Sequence, residues 1–363
     1  MKILFTFFNP SGGMETLNRT RCEALSRVGI ECHLLYTNDG DGKKNIRAIP
    51  TFIFKDEDKI NALIARENYD AIIVCSDIAL LQQIKRMNYG GYIVFEIQGL
   101  GTYEHARLIL EQMKAAILSS ADGLLYPKTA HLVQMLTAAF PNKLHFCFDD
   151  PVDTLAFGYT TYPKKSFPIV AWIGRIEKNK NWREFLRIGS KLRERFPSLY
   201  LWLFDDAELF EKSELEDFYV LAAELGLSDC LIRQSNVPHE LMADYLSLIG
   251  DSGGCLCSTS ITEGFGYAVA EAMLCRCPVL STNSDGVKAF VIPETTGMFY
   301  EIGDIDQAAE LATTLMKNEA LRSRIVNEAE MYIKARFSAE KYASHFCAMI
   351  KRLEKGQKQK NRF

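Results

Sequence analysis

The chain reads as an α/β protein of two doubly wound, Rossmann-like domains facing a cleft. Three observations predict this. Its 363 residues exceed the roughly 250–300 at which a single hydrophobic core stops growing. Short apolar runs alternate with helix-period patterns, the order that yields parallel strands joined by right-handed crossovers. That rhythm breaks once, between residues 149 and 168, and then restarts.

The first run, Ile3–Phe8, is apolar throughout, as in a strand covered on both faces. Asn9-Pro10-Ser11-Gly12-Gly13 makes a turn, and Glu15–Val28 follows as a helix ended by Gly29. Further strands are expected at His33–Thr37, Ala71–Cys75, Tyr92–Ile97, Gly123–Tyr126 and Leu144–Phe148, with helical patterns between most of them. The break carries Asp149-Asp150-Pro151, Gly158, Pro163 and Pro168 and reads as a connection. Beyond it, strands at Ile169–Ile173, Leu199–Phe204, Leu231–Arg233, Cys255–Ser258 and Pro278–Thr282 alternate with helices at Trp182–Leu192, Glu214–Leu225, His239–Leu248 and a segment ending at Met273. From Ile305 onward only helical patterns remain. The expected domains are therefore 1–150 and 168–335, with a linker at 151–167 and a C-terminal segment at 336–363.

Apolar residues make up 48% and charged residues 24%, which excludes disorder as the main state. A net charge of −4 gives no basic field for nucleic acid. The tail from Lys351 carries six basic residues against one acidic one. Its two readings are a frayed soluble end and weak peripheral attachment to an anionic membrane surface, the inner face for a cytoplasmic protein. Most of the ten cysteines sit in apolar runs, as expected of reduced thiols in the cytoplasm. The pairs Cys255/Cys257 and Cys275/Cys277 lack metal-site spacing. The apolar start is too short for a secretion signal, and no stretch is long enough to span a membrane.

The most informative stretch runs from Ser258 to Met273. A strand ends, a loop carries Glu263, Gly264 and Gly266 flank Phe265, and a helix begins. The first helical N–H groups lack intrahelical partners and sit at the positive end of the helix dipole. The amides of Gly266, Tyr267 and Ala268 are thus placed for phosphate, and glycine lets backbone approach closely. Glu271, in the first turns, can accept from ribose hydroxyls, while Glu263 faces a different part of the ligand. Arg175 and Lys180 follow the first strand of the second half and suit a diphosphate, as a planar fork and a mobile point charge. Gly12 and Gly13 form a glycine pair before a helix in the first half, and backbone contacts near Leu231-Ile232-Arg233-Gln234 are where selectivity for a nucleotide base is expected.

These stretches resemble the GT4 family, the large retaining glycosyltransferase family of the GT-B fold. Residues 263–279 are similar to its usual "EGFGLVxLEAMACGxPV", 174–181 to its "GRLxxxKG" with Asn181 for the glycine, 11–15 to its Gly-Gly loop, and 151–157 to its interdomain "GVDxxxF". The resemblance implies sugar transfer from a nucleotide-diphosphate sugar to a saccharide, lipid-linked or protein acceptor, with retention. It further implies Glu263 on the donor sugar, Arg175 and Lys180 as catalytic charges on the diphosphate, Gly264 and Phe265 beside it, Glu271 on the ribose, and a last helix, about Ala339–Leu353, returning to the first domain.

Two departures stand out. Gln98 occupies the place of the family's first-domain histidine, and glutamine can hydrogen-bond a sugar hydroxyl but cannot take a proton. His105, seven residues on, is the alternative contact. Lys288 lacks the glutamate the family carries nearby. Asp39/Asp41, Asp56/Asp58 and Asp304/Asp306 have the spacing of a divalent-ion motif, but their loop and helix-start settings argue against it, so neither metal nor cofactor is expected. Alternatives to transfer are a nucleotide-sugar epimerase of the same fold and a catalytically silent nucleotide-sugar-binding protein.

Overall fold

A computed structural model of the chain describes residues 1–99, 103–207 and 210–360, and the side chains of all of these except 103 and 357–360. It divides into two units, Met1–Val152 with Phe337–Phe363, and Asp153–Arg336.

The first unit contains β1 (Lys2–Phe7), α1 (Gly12–Ser26), β2 (Glu31–Tyr36), β3 (Thr51–Ile53), α2 (Glu57–Glu67), β4 (Ala71–Cys75), α3 (Ile78–Arg86), β5 (Tyr92–Glu96), α4 (Tyr103–Ser120), β6 (Gly123–Tyr126), α5 (Ala130–Ala139) and β7 (Leu144–Cys147). The seven strands form one parallel sheet in the order β3-β2-β1-β4-β5-β6-β7. Its middle strands are buried on both faces, which is why β1 and β4 read as unbroken apolar runs. Asp56 and Asp77 cap α2 and α3 by accepting from the Lys59 and Leu80 amides, both at 2.9 Å.

The second unit contains β8 (Ile169–Ile173), α6 (Trp182–Arg195), β9 (Tyr200–Asp205), α7 (Lys212–Glu224), β10 (Leu231–Ser235), α8 (His239–Asp251), β11 (Cys255–Ser258), α9 (Tyr267–Leu274), β12 (Val279–Thr282), β13 (Met298–Tyr300), α10 (Ile305–Lys317) and α11 (Glu319–Arg336). Its six strands are parallel in the order β10-β9-β8-β11-β12-β13. The last helix, α12 (Ala339–Lys360), belongs to the first unit, where Tyr342, Phe346 and Ile350 pack with Phe5, Cys22 and Leu25.

The two α/β units with parallel sheets match the fold class expected from the alternating pattern. Two details differ. The first helix starts at Gly12 rather than Glu15 and stops at Ser26, so the glycine pair lies in its first turn. The strands β3 and β13 were not anticipated: each is three residues long and lies at a sheet edge, too short to show a period.

Candidate functional site

In the second unit the strand order reverses between β8 and β11, the place beside which ligands of such sheets bind, and the loops leaving their carboxyl ends are neighbours there. The β8 loop carries residues 174–181 and the β11 loop 259–266. Asn179 stitches them together. Its carbonyl accepts from Ile261 N–H at 2.8 Å, its side-chain oxygen accepts from the Thr262 amide (3.2 Å) and hydroxyl (2.8 Å), and its side-chain amide donates to the Thr262 carbonyl at 3.1 Å. Deeper down, Trp172 Nε1 donates to Thr259 Oγ1 (2.9 Å), which donates in turn to the Lys180 carbonyl (2.8 Å). The clamp brings Lys180 Nζ to 2.5 Å from Glu263 Oε1, with both side chains mostly shielded. Arg175, on the same β8 loop, is about half exposed and lies 3.3 Å from Glu177.

Glycine is required on this wall for steric reasons. Gly266, immediately before α9, has φ 92°, and a Cβ there would come within 2.6 Å of Val287. The first helical hydrogen bonds run from the Val269 and Ala270 amides to the Gly266 carbonyl, so the amides of 266–268 precede the ladder. Gly286 donates to the Glu263 carbonyl at 3.1 Å, and a Cβ on it would meet that oxygen at 2.6 Å. Next to it, Ser284 Oγ is buried without a partner among the described residues. Gly264 is exposed, whereas Phe265 packs against Tyr267 and Phe290 with ring centroids 4.7 and 5.2 Å away. Glu271 is buried, 3.8 Å from His239 Nε2, and His239 meets Phe157 edge-on. Arg233 is committed elsewhere: it donates to Asp205 at 2.7 and 3.0 Å and to the Tyr219 hydroxyl at 2.7 Å. Burial, the largest single influence, opposes its charge, but Asp205 and the Tyr219 hydroxyl together outweigh it and hold the guanidinium above its ordinary pKa.

The structure therefore brings Lys180 and Glu263 together just before the start of α9, with Arg175 on the same β8 loop as Lys180, and places Arg233 in an ion pair on β10. Sequence reasoning missed Asn179, Thr259 and His239, whose roles depend on which loops become neighbours.

In the first unit, Gly12 (φ 54°) and Gly13 are exposed at the start of α1. Gln98 follows β5, and its side-chain nitrogen donates to Glu96 Oε1 (2.9 Å) and Asp150 Oδ1 (3.1 Å). His105 is exposed on α4. A cavity of about 660 Å³ lies at the opposite, amino ends of this sheet's strands, lined by residues such as Asn68, Tyr89, Tyr92 and Glu354; Gly12, Gly13, Gln98 and His105 do not line it.

The three Asp-x-Asp pairs have local structural partners. Asp56 and Asp304 cap helices, Asp41 pairs with Lys44, and Asp306 lies 2.8 Å from Lys191. All ten cysteines are free thiols, and burial pushes Cys255 and Cys275 up to about 12. Among the described residues, no helix is long and apolar enough to cross a membrane.

Residues 161–332 match the family model described as glycosyl transferases group 1. The lipopolysaccharide core biosynthesis glycosyltransferase LpsE of Rhizobium meliloti is 24% identical over 183 residues, 50% of this chain and 49% of that protein. The chain spans about half, or less, of the length of the curated relatives it matches. The crystal structure of HepE from Anabaena in complex with UDP-glucose superposes with a TM-score of 0.81 at 16% identity, covering 97% of this chain and 99% of that one. The pneumococcal O-GlcNAc transferase GtfA, in complex with UDP and GlcNAc, gives 0.78 at 10% identity, covering 97% and 99%. The fold is thus GT-B-like, and the resemblance read from the two motif loops is borne out in the unit that carries them.

Proposed function

We propose that this chain, whose residues 161–332 form a group 1 glycosyl transferase domain in a GT-B-fold protein, transfers a sugar from a nucleotide-diphosphate sugar to an acceptor hydroxyl with retention of configuration. The observation that carries the reading is the joined pair of loops holding Arg175, Lys180 and Glu263 beside the amino end of α9. Phosphate charge is favoured at such a helix end. Arg175 and Lys180 add two cations on the other wall, so the charge growing on the departing diphosphate is met without a metal ion. Glu263 draws Lys180 into register and presents its second oxygen to donor-sugar hydroxyls. Glu271 accepts from the ribose. The UDP complexes of HepE and GtfA make UDP the first nucleotide to try.

In the first unit, Gln98 contacts a sugar or acceptor hydroxyl. Since it carries no titratable proton, the leaving phosphate takes the acceptor proton on the same face of the sugar, which retains the anomeric configuration. The acceptor is a saccharide, a lipid-linked glycan or a protein. Lys351, Arg352 and Lys355 are exposed on α12 and supply the basic start of a membrane-surface contact, while the side chains of Lys358 and Lys360 and residue Arg362 lie outside the described residues.

Proton NMR of the product formed from an α-linked UDP-sugar tests the reading. An α-anomeric coupling in the first product is expected; a β-anomer would overturn retention, and sugar isomerised without acceptor would make the chain an epimerase.

A further inference from the structure

The first unit buries a charge cluster that the transfer reaction as described does not use. Arg21 of α1 is fully buried, with its guanidinium stacked 4.0 Å from the Phe5 ring centroid. Its Nη1 donates to Glu96 Oε1 at 2.6 Å and its Nη2 to Asn18 Oδ1 at 2.5 Å. Glu96 ends β5 with 1% exposure, and Asp150, after β7, has 4%. The Gln98 side-chain nitrogen bridges these two carboxyl groups, while Glu96 Oε2 is buried beside the Cys75 thiol, with no nitrogen or oxygen partner among the described residues.

We infer that Glu96 and Asp150 are positioning residues that hold one proton between them and so fix Gln98 with its amide nitrogen inward and its carbonyl oxygen outward, as an acceptor for a substrate hydroxyl. The charge count requires the proton. One buried guanidinium balances one carboxylate, and a second buried carboxylate without a cation costs several times more than a neutral acid. Orientation follows from donor chemistry. An amide NH₂ has two hydrogens, one for each carboxyl group, whereas the reversed amide sets its carbonyl against the Glu96 charge. The proton resides on Asp150, on the oxygen that does not face Gln98, and Glu96 stays paired with Arg21.

The surroundings reinforce this. The groups facing Asp150 are Glu96 of β5, Arg21 of α1, Tyr342 of α12, and Asp149 beside it in the chain, with Cys75 of β4 next to Glu96. Burial first, and then the Glu96 charge, pushes the Asp150 carboxyl up to about 7, against smaller pulls from Gln98 and Arg21. Loss of the proton leaves an unbalanced negative charge, which tightens the bond from Gln98 to Asp150 and draws water toward the cluster. That the outward acceptor meets a sugar hydroxyl rests on the transferase reading; the orientation of Gln98 does not.

The test is NMR of the full chain labelled at aspartate carboxyl carbons and glutamine side-chain nitrogens, across about pH 5 to 9. One aspartate carboxyl should titrate near pH 7 and vanish in Asp150→Asn. The Gln98 amide, identified by its loss in Gln98→Met, should shift with the same midpoint in wild type and stay fixed in Asp150→Asn. If Asp150→Asn does not fold, co-titration in wild type decides alone. No aspartate titrating in the neutral range, or a Gln98 amide indifferent to that titration, overturns the inference. A thermal-shift panel of UDP, GDP and ADP on the same samples reports on the second unit separately. No shift of wild type with any of them would sink the transferase reading while leaving the Gln98 result standing.

Discussion

Glu263→Gln keeps the size of the side chain and removes its charge. In the structure Glu263 holds Lys180 Nζ at 2.5 Å, with the two side chains 16% and 20% exposed. A charge-assisted hydrogen bond is worth about 1.5–3 kcal/mol when fully shielded, and partial exposure brings the stability loss to about 1 kcal/mol. For a domain of this size that lowers Tm by about 2–4 °C. The functional loss should be much larger. On the proposed reaction the carboxylate would position Lys180 and accept from the donor sugar as charge develops, and losing such a preorganised contact costs about 100- to 1,000-fold in kcat. The assay is UDP release from UDP-glucose against a panel of saccharide acceptors, run beside a melting curve. Turnover within about threefold of wild type, in a variant whose Tm drops as expected, would refute the reasoning that Glu263 acts on the donor.

Gly266→Ala must place a side chain at φ 92° and 2.6 Å from Val287; it should lower Tm by several degrees and weaken UDP binding at least tenfold, as read by calorimetry. Asn179→Ala loses the three side-chain bonds that join the motif loops; about 1–2 kcal/mol of stability should go, with kcat falling further than donor affinity because Lys180 and Glu263 lose register. Asp150 keeps its proton in the native chain up to about pH 7, whereas an unfolded aspartate loses it near pH 3.9 (roughly). Native protein thus binds the extra proton between those values, so stability falls as pH rises from about 4 to about 7. Denaturant melts should show that slope, by about 4 kcal/mol at most, and Asp150→Asn should flatten it; an unchanged slope would place the titration elsewhere.

What the sequence revealed and what it concealed have physical reasons. Local periodicity exposed β1, β4 and β11 because strands buried on both faces must be apolar along their length. It missed β3 and β13, whose three residues carry no period. Glu263 and Glu271 were legible because loop and helix are contiguous in sequence, and Arg175 and Lys180 because they start the next loop–helix unit. The meeting of Lys180 with Glu263 was not legible: 83 residues separate them, and only the adjacency of β8 and β11 joins their loops. The same holds more strongly for Arg21, Glu96 and Asp150, drawn from α1, β5 and the segment after β7. A glutamate inside the apolar run Tyr92–Ile97 was the visible trace, but a charge in such a run names no partner until the sheet is assembled.

The most direct test of the central claim, that the second unit grips a nucleotide diphosphate between the β8 loop and α9, is a thermal-shift panel of UDP, GDP and ADP on wild type and Arg175→Ala. The account predicts that one nucleotide raises the wild-type Tm by about 5–10 °C at a hundredfold excess over its Kd and that Arg175→Ala loses most of the shift without unfolding. No shift with any nucleotide at millimolar concentration, or an equal shift in Arg175→Ala, would contradict it.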